Sequence, residues 1–322
     1  MARIIDRIQG HHQQLSKLQF LLANDRFPQG LLFVGPSGIG KRLVALAVAQ
    51  SLVCEQSRDA CGQCGPCMRI EKQQSESLFN IKPDAEAAKA SIKVEQIREL
   101  LASLSLAAGW SKRLVIIDEA HLMTDQASNA LLKSLEEPDP NTFFILIAHD
   151  VRQMLPTIRS RVQVIRFSNL AYEQVRAVKP NLPDWAYRSC RGQVDRLLLL
   201  TSKNGTAERQ EALDLLEQFC YDEDFLLRDE WRKSLKEDRG WALFNIKCWL
   251  QIVRDAMLVN LKNNQHLINT DQTELINKLG EFSYRKLASL SAQLIQAGRD
   301  INANQDIVLV FDALRVKYAR MD

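Results

Sequence analysis

No stretch of about 18 uncharged apolar residues occurs in the 322-residue chain, so no ordinary membrane-spanning helix is expected. The first residues, Met1-Ala2-Arg3-Ile4-Ile5-Asp6, lack the apolar run of a secretion signal, and a cytoplasmic location is the expectation. An excess of one charge is missing too. Lys and Arg number 42 against 39 Asp and Glu, and the resulting +3 is too small to imply nucleic-acid binding by itself. Aromatic residues make up only 7%, and neither a basic stripe nor an aromatic stacking platform is visible. That argues against a DNA-binding protein acting alone. Internal repeats and low-complexity tracts are also absent. What is there is ordinary for a globular protein: 46% apolar and 25% charged residues, in a length that suggests two or three domains.

Strand and helix signals alternate through the first 167 residues. Leu31 to Val34, Leu114 to Ile117 and Phe143 to Ile147 are short apolar runs of the kind buried in a parallel sheet. Val162 to Phe167 alternates as an edge strand would. Helices are expected over Lys41 to Val53, Val94 to Leu106 and Asp125 to Glu137, the last stopped by Pro138 and Pro140. Strands separated by helices imply an α/β fold with a parallel sheet covered on both faces. After Phe167 the strand signal stops. Residues 169–203 read as a small helical unit broken at Pro180, Pro183 and Gly192, and the remainder is helical throughout, with long helices over Ala242 to Leu261 and Ile307 to Tyr318. Asn204-Gly205 marks the expected boundary between the helical parts.

Four segments carry chemistry. Gly35-Pro36-Ser37-Gly38-Ile39-Gly40-Lys41-Arg42 follows a strand and opens a helix, as a phosphate-binding loop does. Gly35, Gly38 and Gly40 would turn backbone N–H groups toward phosphates, and Lys41 would neutralise them. The pattern ends in Ser or Thr, whose hydroxyl binds Mg²⁺; here Arg42 stands instead, with no lone pair for a metal. Asp118-Glu119 ends the strand from Leu114, where one carboxylate holds Mg²⁺ and the next activates water. Cys54-x₆-Cys61-x₂-Cys64-x₂-Cys67 offers four thiolates for structural Zn²⁺, with Gly62, Gly65 and Pro66 shaping the turns. An iron–sulfur cluster, or free or disulfide-bonded thiols, are the alternatives. Cys190, Cys220 and Cys248 are scattered and expected to be reduced. Thr157-Ile158-Arg159-Ser160-Arg161 precedes the last strand, and an arginine there is either a solvated charge or a finger reaching a neighbour's nucleotide.

Ala127-Ser128-Asn129-Ala130-Leu131-Leu132-Lys133-Ser134-Leu135-Glu136-Glu137-Pro138 closely resembles the signature of bacterial clamp-loader subunits of the AAA+ family. Ile92-x-Val94-Glu95-x-Ile97-Arg98-x-Leu100, the cysteine insertion at about 54–67 and the tail from Ala297 to Leu314 are similar too. The resemblance implies an AAA+ domain over 1–167, a helical lid over 168–205 and a C-terminal helical collar over 206–322. It implies work in the DNA polymerase III clamp loader, with gamma/tau and delta subunits as partners and with the sliding clamp and primer–template DNA reached through the complex. In that family a Ser-Arg-Cys motif carries the arginine finger, matched here by Ser160-Arg161 with Val162 in place of the cysteine. The sensor position falls on His149 instead of Thr or Asn, and a sensor arginine falls on Asp195 of Gly192-Gln193-Val194-Asp195. Departures at Arg42, His149 and Asp195 beside a retained Arg161 imply a subunit that does not hydrolyse ATP but completes a neighbour's site, with ATP or ADP binding here left open. The alternative is a competent ATPase that keeps Lys41, Asp118 and Glu119. Lys93 and Arg98 are either solvated charges or contacts to DNA phosphates inside the assembled ring.

Overall fold

The apolar run after Gln29 forms β1 (Gly30–Val34), and its last four residues are buried. In the computed structural model, residues 3–84, 90–106, 112–222, 225 and 238–320 are described. Among them β1 is joined by β2 (Leu78–Ile81), β3 (Arg113–Ile117), β4 (Thr142–Ala148) and β5 (Gln163–Arg166) in one parallel sheet of order β2-β3-β4-β1-β5. The alternating strand after Val162 is indeed at the edge. β2 was not legible in the sequence: it is four residues long, interrupted by Asn80, and each of its residues is only half-buried.

Side chains of successive strand residues point to opposite faces, so each apolar strand feeds two cores. Leu31, Phe33, Leu114, Ile116 and Ile145 meet Val44, Val48 and Leu52 of a helix over Lys41–Val53 on one face. Leu32, Val34, Val115, Ile117 and Leu146 meet Ile97, Leu100, Leu131 and Leu135 on the other. The flanking helices are α1 (His12–Ala23), α2 (Lys41–Val53), α3 (Gly65–Glu71), α4 (Val94–Leu106), α5 (Asp125–Glu136), α6 (Pro156–Arg159) and α7 (Tyr172–Val178). Thr124 caps α5 by accepting from Ala127 N, and Pro138 lies just beyond its end, as a helix stop requires.

The chain divides into two compact units: Met1–Pro180 with Gly192–Asp195, and Asn181–Arg191 with Arg196–Asp322. The second unit is helical among its described residues. Its elements are α8 (Asp184–Ser189), most of α9 (Val194–Thr201), α10 (Lys203–Tyr221), α11 (Arg239–Asn260), α12 (Thr273–Gly280), α13 (Tyr284–Asn302) and α14 (Ile307–Ala319). Its core gathers around Trp249, Phe219 and Phe311, and the Trp249 indole N–H donates to the Ala212 carbonyl at 2.7 Å. Burying one such large side chain is worth about 1.5–3 kcal/mol. The break between α9 and α10 falls at Ser202, which caps α10, so Asn204 and Gly205 belong to the first turn of a helix. Gly205 serves close approach: a Cβ there would collide with the Leu199 carbonyl.

Candidate functional site

The carboxyl ends of β1, β3 and β4 converge on a cavity of about 270 Å³, where parallel sheets place their ligands. Strand order explains its walls. β4 lies between β1 and β3, so His149 beyond the tip of β4 sits between the loop after β1 and the acidic pair after β3. Gly38, Gly40, Lys41, Arg42, Asp118, Glu119, His149 and Asp195 all line this one pocket. Gly38 (φ 69°) and Gly40 (φ 94°) take left-handed backbone angles that strain other residues, and Gly40 caps α2. The first amides of α2 have no intrahelical partner and give the pocket a positive edge.

Lys41 is buried, and its ammonium donates to the Gly35 carbonyl at 2.6 Å and the Pro36 carbonyl at 2.5 Å. One of its three N–H donors is left over. Burial pushes its pKa down to about 8, against the attraction of Asp118, Asp195 and Glu119. The unfolded chain, with the ordinary value of 10.5, then holds more protons between these pH values. Stability therefore rises as pH climbs from about 8 toward 10.5. Thermal unfolding across that range is expected to show this slope in the wild type and lose it in Lys41→Met.

Arg42 turns back along the sheet. Its guanidinium pairs with Asp118 Oδ2 at 3.4 Å and donates to Gln73 Oε1 at 2.8 Å and Asn80 Oδ1 at 3.4 Å. The other Asp118 oxygen accepts from the Glu119 amide at 3.1 Å, and Glu119 takes a left-handed φ of 50°. Asp195 is brought against Gly38 by the Val194 amide, which donates to the Gly38 carbonyl at 2.7 Å. His149 packs on His121, ring centroids 4.5 Å apart. Burial, the neighbouring His149 and Lys41 hold His121 below its usual pKa. His121, Gln73 and Asn80 escaped sequence reading. So did His11, buried at the start of α1, whose Nε2 donates to the Ile39 carbonyl at 2.7 Å and steadies the loop from outside.

Arg161 lies elsewhere. Its carbonyl sits beside Gly30, at the amino end of β1, whereas the phosphate loop leaves the carboxyl end at Gly35. Five residues at about 3.3 Å each separate these ends by roughly 17 Å. The Arg161 side chain, about one-third exposed, ion-pairs with Glu136 and donates from Nη1 to the Thr157 carbonyl at 2.8 Å and Ser160 Oγ at 3.1 Å. It is remote from this chain's own pocket.

The four cysteines come together at the far end of α2, Cys54 closing that helix and Cys64 capping α3. Their sulfur atoms all lie within 4.8 Å of one another, and Cys61 and Cys67 Sγ are 3.9 Å apart. Sulfurs 2.3 Å from a tetrahedral Zn²⁺ are about 3.8 Å apart, so the set fits a four-thiolate site. No disulfide joins them. Cys54 Sγ accepts from the Ser57 and Cys61 amides, each at 3.3 Å, and Cys61 Sγ from the Gln63 and Cys64 amides at 3.4 and 3.2 Å. Those amides hold the Cys61 thiol down to about 6, whereas burial raises that of Cys67. Gln50, fully buried on α2, donates to the Cys67 carbonyl at 3.2 Å and accepts from the Ile4 amide at 2.9 Å. The cluster could hold a metal, and it is a 13-residue helix away from the pocket, about 20 Å.

A family model described as DNA polymerase III, delta subunit, matches residues 10–171. The DNA polymerase III subunit delta' of Bacillus subtilis (strain 168) is similar at 27% identity over 298 residues, 89% of each chain. That of Pseudomonas aeruginosa is 38% identical over 133 residues, 40% of each chain. Among solved structures, a DNA polymerase III gamma subunit-related protein of Thermotoga maritima aligns with TM-score 0.51 and 18% identity, over 95% of this chain and 98% of that one. At that identity the likeness concerns the fold alone.

Proposed function

Because the chain belongs to the DNA polymerase III delta-subunit family, matched over residues 10–171, we propose that it is a delta-prime-type clamp-loader subunit that does not hydrolyse ATP and lends Arg161 to a neighbouring gamma/tau subunit. One observation carries the loss of hydrolysis. Arg42 occupies the Asp118 carboxylate that a Mg²⁺ ion would need, and it is tied there by Gln73 and Asn80. A guanidinium left within about 4 Å of that ion would cost several kcal/mol at an effective dielectric of about 20. Asp195 adds a carboxylate where phosphate charge would develop.

Arg161 suits a role in trans because it is about one-third exposed, charged and at the opposite end of the sheet from its own phosphate loop. Its chemistry there is to stabilise charge on a transferring phosphoryl group. Ser160 supports it through Oγ. The helical region over 206–322 supplies the collar, and the loaded complex brings the sliding clamp and primed DNA within reach in the cytoplasm. The four cysteines hold structural Zn²⁺.

A second reading, hydrolysis in cis, draws on the convergence of Lys41, Asp118 and Glu119 in one pocket. Steady-state ATP hydrolysis by the isolated chain with Mg²⁺ decides between them. The expected rate is indistinguishable from that of Lys41→Ala; turnover well above that control establishes the second reading.

A further inference from the structure

We propose that Glu136, the last residue of α5, is a positioning residue for Arg161. This rests on the reading of Arg161 as a group supplied in trans. Three groups on two elements hold the guanidinium: the Glu136 carboxylate from α5, and the Thr157 carbonyl and Ser160 Oγ from α6 and the turn after it. Of its five N–H donors, three are engaged, both of Nη1 and one of Nη2. Two stay free for a phosphate oxygen. A long side chain that is otherwise free to sample many rotamers is thereby fixed before a neighbour docks, and the entropy of ordering it is already spent.

The pair is too open to matter for folding. The Arg161 side chain is 32% exposed and that of Glu136 46%, and exposed ion pairs add little stability. What Glu136 supplies is direction. The Thr157 carbonyl and Ser160 hydroxyl both act on Nη1, so without Glu136 the guanidinium keeps anchors on one nitrogen only and can swing about it. Glu136 also differs from its neighbour Glu137, which makes no such contact with Arg161.

The test uses the assembled clamp loader containing this chain. Glu136→Ala is expected to lower the single-turnover kcat at the site served by Arg161 about tenfold, with half-saturation by ATP within about twofold of wild type, because misplacing a catalytic group by an ångström costs up to about 10² in rate. Glu136→Gln keeps an accepting oxygen without the charge and is expected to stay within about twofold of wild type. The double variant with Arg161→Ala should be no slower than Arg161→Ala alone. Size-exclusion profiles confirm intact assembly for each. Wild-type kcat in Glu136→Ala beside a slow Arg161→Ala overturns the positioning role and leaves the arginine reading intact. A faster Glu136→Ala, or a loss that adds to that of Arg161→Ala, overturns it equally. An Arg161→Ala complex as fast as wild type removes both readings together.

Discussion

Replacing Arg161 with alanine is expected to slow the ATP site that it faces by about 10³-fold or more in the assembled complex, the range that arginine fingers supply in other nucleotide hydrolases. The barrier rises because charge that spreads over the transferring phosphoryl group loses a cation in a water-poor site. The complex should still form. Arg161 pairs with a carboxylate that is itself nearly half exposed, and such a pair contributes about 0–1 kcal/mol. Single-turnover hydrolysis by the complex measures the effect at the one affected site, whereas steady-state turnover falls by at least that site's share. Nucleotide affinity of the complex should change far less than the rate, since the interaction strengthens in the transition state. Equal rates in a fully assembled variant complex would remove the trans role.

Losing the metal from the four-cysteine cluster should have the largest effect on stability. The segment from Cys54 to Cys67 has only a small apolar cluster of its own, around Ala60, Cys64 and Cys67, so with the proposed zinc bound its ligand bonds would hold it. At a free zinc level about a thousandfold above its Kd, binding to the folded state alone is worth about 4 kcal/mol. For a unit of this size that corresponds to roughly 8–16 °C in Tm. Cys67→Ser is the sharpest variant because this thiol is fully buried and Gln50 clamps its backbone carbonyl. Elemental analysis should give one zinc per wild-type chain and none in the variant, and a chelator should lower the wild-type Tm toward the variant's. A chelated protein that melts as before would refute a structural metal.

The sequence exposed those parts of the fold whose signal is local. β1, β3 and β4 are continuous apolar runs because both their faces are covered, and α2 opens at a glycine pattern that permits only a few backbone paths. Most of the pocket's members were legible because they stand at the carboxyl end of such a strand or on the segment that follows, whereas Asp195, on α9, was reached only through the family resemblance. Long-range polar choices were not. Gln73 and Asn80 look like ordinary solvent-facing amides until the fold brings them to Arg42 from residues 31 and 38 positions away. Gln50 left a faint mark, a polar side chain that ends the apolar run from Leu43 to Ala49, but nothing in its spacing says that it joins Ile4 to Cys67. β2 depends on its pairing with β3 more than on its own residues, from Leu78 opposite Leu114 to Ile81 opposite Ile117.

The three-way tether of Arg42 makes this position costly to alter. Were threonine placed there, a hydroxyl would be available for Mg²⁺, but Asp118 would lose its cation and the amides of Gln73 and Asn80 their shared donor. Asp195 would still press on the loop. Arg42→Thr is thus expected to cost stability by leaving three acceptors without their shared cation, so this position couples the phosphate loop to the segments that carry Gln73 and Asn80.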